Sequence, residues 1–283
     1  MTNQAFDITE ELNCGSQIQH GPYNDRIYLM KATTAEEHDD LPARLIANAK
    51  KSGYAKIFAK VPAEKAGSFL EHKFIKEAVI PGFFNGDKTG LFLAYYLKKS
   101  RKVEDDLEAY EKNLQIALSK KHAPIRKLDE KFRIRSCNAD DIGAMAEIYK
   151  TVFPSYPFPI HDPAYLHETM LSHVDYFCVE TAGKLVALSS AEKDDEASNA
   201  EMTDFATLPE WLGNGFGVHL LQHMENTIKT EGIRTAYTIA RAASPGMNIT
   251  FAKLGYIYGG RLKNNTNISG QIESMNVWYK SLV

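Results

Sequence analysis

Residues 199–231 read NAEMTDFATLPEWLGNGFGVHLLQHMENTIKTE, and this stretch decides the fold. Ala200 to Thr207 has a strand-like pattern, Leu208-Pro209 turns the chain, and Phe216, Leu220, Leu221, Met224 and Ile228 recur at helical spacing. Gly213, Gly215 and Gly217 stand between strand and helix. The first turn of a helix leaves backbone N–H groups unpaired, and the helix dipole adds partial positive charge there. Glycines before such a turn let phosphate groups come close, so the stretch reads as strand, phosphate cradle and helix. The spacing excludes the dinucleotide fingerprint G-x-G-x-x-G and the P-loop, which ends in Gly-Lys-Ser/Thr.

The rest of the chain narrows the class. Its 283 residues are 44% hydrophobic and 24% charged, enough for one large or two ordinary globular units. A net charge of −3 and a pI near 6.3 give no electrostatic footprint for nucleic acid or an anionic membrane. The opening MTNQAFDITEELN lacks a basic-then-apolar leader, and no apolar run approaches the roughly 18 residues of a membrane span, so a soluble cytoplasmic protein is expected. Cys14, Cys137 and Cys178 are too few and too scattered for a disulfide framework or a Cys-x-x-Cys metal site. His219 and His223 lie four apart on the helix, but Leu-Leu-Gln between them supplies no glutamate base and no third ligand is evident, so no metal is expected.

Residues 1–24 read as a poorly defined entry segment. Residues 25–121 form an α/β unit: a strand from Arg26 to Met30, an alternating strand AKIFAKV, a helix from Ala63 to Phe74, the run VIPGFF, the apolar strand Leu91 to Leu97, and a helix ending near Lys121. HAPIRKLDE, residues 122–130, is the linker, and residues 131–283 are the second unit. There a helix starts at Asn138-Ala139-Asp140-Asp141 and ends near Phe153. The segment FPSYPFPIHDP follows; its prolines prevent a continuous helix, and Phe153, Tyr156 and Phe158 make either an aromatic wall that can hold a substrate's alkyl chain or a rigid connection whose rings pack inward. Cys178, mid-strand between Phe177 and Val179, could carry an acyl group as a thioester, but with no His beside it in sequence it is read as a buried inert thiol.

The loop Leu212-Gly213-Asn214-Gly215-Phe216-Gly217 resembles the pyrophosphate loop of the GNAT acyltransferase superfamily, Arg/Gln-x-x-Gly-x-Gly/Ala, with Thr207-Leu208-Pro209 in the place of its V-x-P. Leu212 departs from the Arg/Gln position. A second signature, an Asn opening a short helix that ends in Lys-Leu-Gly-Phe/Tyr, is matched by Asn248 and Lys253 to Tyr256. The tyrosine that protonates the departing thiolate in the family falls on Phe251, leaving Tyr256, Tyr258, Ser244 or a water as substitutes. The resemblance implies an α/β GNAT fold, with a mixed central sheet flanked by helices, and acetyl-CoA as co-substrate. It places the cofactor on Phe205, Ala206, Thr207, the 212–217 loop, Asn248 and Phe251.

MTDFATLPE, the ARA-x-S-x-GMNITFAKLGY run and the closing segment from Tyr258 to Lys280 are similar to the β-lysine N-acetyltransferase family. This implies acetylation of the ε-amine of β-lysine to a compatible solute; spacing alone stops at an amine acetyltransferase. An amine with a pKa near 10.4 must lose its proton before attack, so a carboxylate or a water relay is needed. By resemblance Glu201 is the base, with Asp204, on the opposite face of a regular strand, as second choice. A backbone N–H near Phe205–Thr207 would hold the thioester oxygen. Arg261 and Asn265 on the final hairpin are candidate contacts for a zwitterionic substrate. The first unit parallels the end of the second: AKIFAKV, a helix, VIPGFFNGDKTG and LFLAYYLKKS echo TIARA, the Asn248 helix, YIYGGRLKNNTNISG and SMNVWYKSL. Residues 25–100 are therefore expected to be a partial GNAT unit, shaping the acceptor pocket or forming a homodimer interface. Leu212 and Phe251 also suit a module that binds acyl-CoA without turnover.

Overall fold

The computed structural model describes residues 6–12, 15–32, 40–268 and 270–283; Cys14 lies outside them. The N-terminal half runs β1 (Ile8–Glu11), β2 (Gln17–Gly21), β3 (Arg26–Lys31), α1 (Leu41–Ser52), β4 (Lys56–Pro62), α2 (Ala66–Glu71), β5 (Ile75–Phe84) and β6 (Lys88–Tyr96). Then come α3 (Leu107–Ser119), β7 (Arg133–Ser136), α4 (Ile142–Val152), α5 (Pro163–Met170), β8 (Val174–Thr181), β9 (Lys184–Asp194) and β10 (Asn199–Thr207). The chain closes with α6 (Phe216–Thr230), β11 (Thr235–Arg241), α7 (Pro245–Lys253), β12 (Ile257–Ile268) and β13 (Gln271–Ser281). Among the described residues, no helix is long and apolar enough to cross a membrane.

All the described strands join one mixed sheet, ordered β1-β2-β3-β4-β6-β5-β12-β13-β11-β10-β9-β8-β7. The order is palindromic about its centre. β3 pairs β4 in parallel and β4-β6-β5 is antiparallel; β10 pairs β11 in parallel and β11-β13-β12 is antiparallel. The halves meet where β5 pairs β12 at Ala78 and Gly260. Local conformations repeat as well: Asp25 and Ser198, each just before a parallel pair, have φ of 49° and 50°. The strand–helix–strand–strand parallel in the sequence is thus a parallel in topology.

Gly260 makes the join possible. Its φ of +143° disfavours any side chain, and a Cβ there would lie 2.1 Å from the Glu77 carbonyl oxygen. Around this seam the sheet curves on itself. Four strands separate β4 from β11, so a flat sheet would hold them about 24 Å apart. Instead Lys60 Nζ on β4 lies 3.3 Å from the Tyr237 hydroxyl on β11, and Tyr28, Phe58, Phe83, Phe92, Tyr237 and Met275 fill the fold between the halves.

Two expectations are corrected. Residues 8–11 and 17–21 of the entry segment are strands extending the sheet, with Ile18 buried and the Asp7 carboxylate accepting from the Tyr23 and Asn24 backbone N–H groups. The helix expected to close the first unit, α3, buries Leu114 and Ala117 in the core formed by α6, α7 and their strands, and Asn113 donates to the Ala242 carbonyl. By packing, α3 sides with the second half.

Candidate active site

β10 carries the centre of the site. It pairs with β11 only from Asn199 to Glu201, after which the two strands part. On its other edge the register with β9 steps from Thr203–Ser190 to Ala206–Leu188, an extra residue in β10 and therefore a bulge. Asp204 sits in the bulge with φ of +54°. The bulge corrects the expected geometry: Asp204 turns onto the same face as Glu201, where it accepts from Ser190 Oγ at 2.6 Å and from the Tyr156 hydroxyl. Ser190 and Glu192 share that face by the two-residue period of β9, and Glu192 is the direct cross-strand neighbour of Glu201.

Both carboxylates line a cavity of about 1060 Å³. Its wall includes Phe153, Tyr156, Phe158 and Tyr165 from the second half, and Arg26, Tyr28, Phe58 and Lys60 from the first. Burial, and then repulsion from Glu192, push the Glu201 carboxyl up to about 7, against the opposing pull of Lys60. Tyr237, in register with Glu201 on β11, faces it with its hydroxyl. Burial also raises Asp204, but its bonds to Ser190 and Tyr156 favour the charged form. Glu201 is therefore poised to exchange a proton near neutrality, while Asp204 holds Tyr156 in place.

The glycine loop read from the sequence as a phosphate cradle joins β10 to α6. After β10 the Leu208 N–H bonds to the Val186 carbonyl, a short turn at Pro209–Trp211 follows, and Gly215 caps α6 at φ of +74°. Phe216 is buried against Phe132, whose ring also meets Trp211, and Asn214 Nδ2 donates to the Trp211 carbonyl at 2.8 Å. Gly213 also has positive φ, and a Cβ on Gly213 or Gly215 would meet no atom within 4 Å, so open space lies over the loop. Leu212 is 67% exposed. A Cβ on Gly217 would lie 3.5 Å from Thr250 Oγ1 and 3.9 Å from the Phe205 ring. Phe205, shared with the cavity wall, links the cradle to the carboxylates. The free N–H groups of the α6 first turn and the open edge of β10 fit a diphosphate and an extended thioester arm.

Other expected contacts are redirected. Asn248 is fully buried and fully bonded: Nδ2 donates to the Arg241 and Ser244 carbonyls, and Oδ1 accepts from Asn276 Nδ2 and Trp278 Nε1. It fixes α7 and has no group left for a cofactor. Phe251 is on the cavity wall, with its ring against Phe205 and Tyr256. Tyr256, Tyr258 and Ser244 lie outside that wall, and Tyr256 faces Glu225 on α6. Arg261 also lies outside: it donates to Asn276 Oδ1 and pairs with Glu111 and Glu104, whereas Asn265 lines the cavity. Cys178 is buried in the core under α4. His219 bonds to the Arg126 carbonyl and His223 packs on Phe177, so the pair serves packing.

Sequence reasoning missed Arg26, Tyr28, Lys60, Glu192 and Tyr237. The available signal was period two: Arg26, Tyr28 and Met30 share one face of β3, and Phe58, Lys60 and Pro62 one face of β4. Cations on the same face as large aromatics are unusual for a plain core.

Known proteins resemble the chain in the same terms. The model of the Acetyltransferase (GNAT) family matches residues 143–256. A β-lysine N(6)-acetyltransferase of Methanococcus maripaludis is 40% identical over 94% of this chain and 96% of its own length. A protein of the same name from Methanosarcina mazei is 32% identical over 84% of the chain and 95% of its length, and the N-acetyltransferase YodP of Bacillus subtilis is 31% identical over 94% and 95%. With a strand that splays at a raised-pKa glutamate and a glycine cradle beside it, the chain belongs to the GNAT acetyltransferase family and is an acetyl-CoA-dependent N-acetyltransferase.

Proposed function

We propose that the chain transfers an acetyl group from acetyl-CoA to the ε-amine of β-lysine, giving Nε-acetyl-β-lysine. The observation that carries the chemistry is Glu201, held near neutrality at the point where β10 leaves β11. The acceptor is supported by the relatives named for β-lysine, which span nearly the whole chain. The cavity suits a small zwitterion, since it offers carboxylates and cations in one wall.

Acetyl-CoA supplies the activated thioester. The α6 first turn and residues 212–217 hold its diphosphate, and Phe205, Ala206 and Thr207 run beside its arm. Glu201 takes the proton of the acceptor ammonium, leaving the nitrogen lone pair free to attack. A backbone N–H on the open edge of β10, between Phe205 and Thr207, receives the negative charge that develops on the carbonyl oxygen. As the C–N bond forms the C–S bond breaks, and coenzyme A leaves as the thiol after its thiolate takes up the second nitrogen proton, while the first passes from Glu201 to solvent. Asp204, bonded to Ser190 and Tyr156, orients the aromatic wall along the acceptor's alkyl chain. The product has one ammonium and one carboxylate and is net neutral, the charge state of a compatible solute.

The test is thiol release from acetyl-CoA with β-lysine, α-lysine, spermidine and a lysine-bearing peptide. β-Lysine should give the highest kcat/KM, with the acetyl group on its terminal nitrogen by mass spectrometry. A faster polyamine or peptide would replace the acceptor. Tight acetyl-CoA binding without release from any amine would identify a sensor.

A further inference from the structure

The wall contributed by the N-terminal half contains an arginine that lacks an acidic partner. Arg26 is 5% exposed. Its Nη1 donates to the Asn265 carbonyl and, at 3.2 Å, to Thr266 Oγ1, both neutral acceptors. Nε is buried with no hydrogen-bond partner, and so is Asn265 Oδ1 beside it. Four other arginines each have a carboxylate partner: Arg101 has Asp25, Arg135 has Asp141 and Glu180, Arg241 has Glu273, and Arg261 has Glu104 and Glu111. Among the described residues no carboxylate lies within ion-pair distance of Arg26. Asp7, the acidic group of its own half that acts on it, is occupied by Tyr23 and Asn24.

Burying a guanidinium costs several kcal/mol unless an anion and hydrogen bonds compensate. Here the rings of Tyr28 and Phe58, 5.3 and 5.9 Å from its carbon, give only partial compensation. Burial accordingly brings the Arg26 pKa down to about 10. Arg26, Asn265 and Thr266 all line the cavity, so the missing anion has access.

The palindromic sheet explains how the arginine came to lie there. Arg26 opens β3 in register with Lys56, as Asn199 opens β10 in register with Thr235. Each reaches across the seam to a backbone carbonyl of the other half: Arg26 to Asn265, Asn199 to Phe83. Two residues on, the place of Glu201 is taken by Tyr28. The first half therefore repeats the architecture without the catalytic carboxylate and turns that face into wall. From Glu201 this wall runs through Tyr237, Lys60 and Tyr28 to Arg26.

We propose that Arg26 is the specificity residue that binds the acceptor's carboxylate, so that the enzyme selects amino acids with a distal amine over diamines that lack the acid. This deepens the reading of the acceptor as β-lysine. Asn265 Oδ1 is the acceptor for the second ammonium. A guanidinium offers two parallel donors to a planar carboxylate, a fit a lysine does not reproduce.

The experiment measures kcat and KM for three pairs: β-lysine and 1,4-diaminopentane, lysine and cadaverine, ornithine and putrescine. Each pair differs by the carboxyl group. In the native enzyme the acid member of whichever pair is used should be favoured roughly 100-fold, mostly through KM, as expected for a charged hydrogen-bonded pair. In Arg26→Gln that preference should collapse below about threefold, and Arg26→Lys should restore part of it. A merely structural arginine would lower both members equally and leave the preference intact. Preference for the diamine in the native enzyme, or a preference unchanged in Arg26→Gln, overturns the proposal. Use of the lysine or ornithine pair in place of β-lysine would refute the acceptor reading while leaving Arg26 decided by its own comparison; no turnover of any acid overturns both.

Discussion

Glu192 and Glu201 stand directly opposite each other on β9 and β10, two carboxylates on one face of the sheet. Burial raises the Glu201 carboxyl most, the like charge of Glu192 pushes it up further, and Lys60 pulls it down. Below about 7 Glu201 holds a proton and cannot take one from the acceptor, so kcat/KM should fall as pH drops through that value. Lys60→Met removes the opposing cation and should move this limb to higher pH; a one-unit move lowers the rate at pH 7 about fivefold. Glu192→Gln should move it the other way. Limbs that stay in place in both variants would show that another group titrates.

The two carboxylates on β10 separate by their partners. Asp204 has a donor on each oxygen, Ser190 on one and Tyr156 on the other. Glu201→Gln should lower kcat about 10²- to 10⁴-fold with acetyl-CoA affinity kept, the range for loss of a general base. Asp204→Asn, whose amide still accepts one bond, should act less on kcat and more on acceptor KM through Tyr156. Single-turnover rates and calorimetric acetyl-CoA titrations check both, and the reverse ranking would make Asp204 the base.

Much of this arrangement was legible from residues 199–256, because the glycine loop, the apolar stripe of α6 and the Lys-Leu-Gly turn are local signals. The face of Asp204 was not, since a bulge inserts one residue and reverses the alternation from which faces are read. Short exposed β1 has no pattern beyond ITEE, and its pairing is visible only once β2 is placed. Leu114 and Ala117 mark a buried stripe on α3 but not which half it covers. Arg26 was hidden for a similar reason: its strand is evident, but its missing counterion appears only when the halves are folded together. Asn248 illustrates the converse, a motif residue whose bonding capacity is spent inside the protein.

The cradle makes a separate prediction. Gly215 needs φ of +74°, which costs an L-residue roughly 1 kcal/mol, but a Cβ there meets no atom within 4 Å. Gly215→Ala should therefore fold, with a small loss of stability. Gly215→Glu adds bulk and negative charge at the proposed diphosphate site, and should weaken acetyl-CoA binding at least about 100-fold, as when like charges meet at an interface. Circular dichroism should show both variants folded; comparable acetyl-CoA affinity in the two would move the cofactor away from α6.

The seam between halves is the last feature open to a direct test. Gly260 and Ala78 face each other where β12 meets β5, and a side chain at 260 would strike the Glu77 carbonyl and the Ala78 backbone at 2.1 and 2.7 Å. Neither atom belongs to a flexible side-chain end, so the strands must separate. Gly260→Ala should cost about 3 kcal/mol through overpacking and strain. Because Lys60 reaches Tyr237 and Arg26 reaches Asn265 only if the seam holds, the variant should also raise acceptor KM more than it alters acetyl-CoA affinity. Melting temperature and the two binding constants measure these effects together. An unchanged acceptor KM in a destabilised Gly260→Ala protein would mean that the first half supports the fold without shaping the acceptor site.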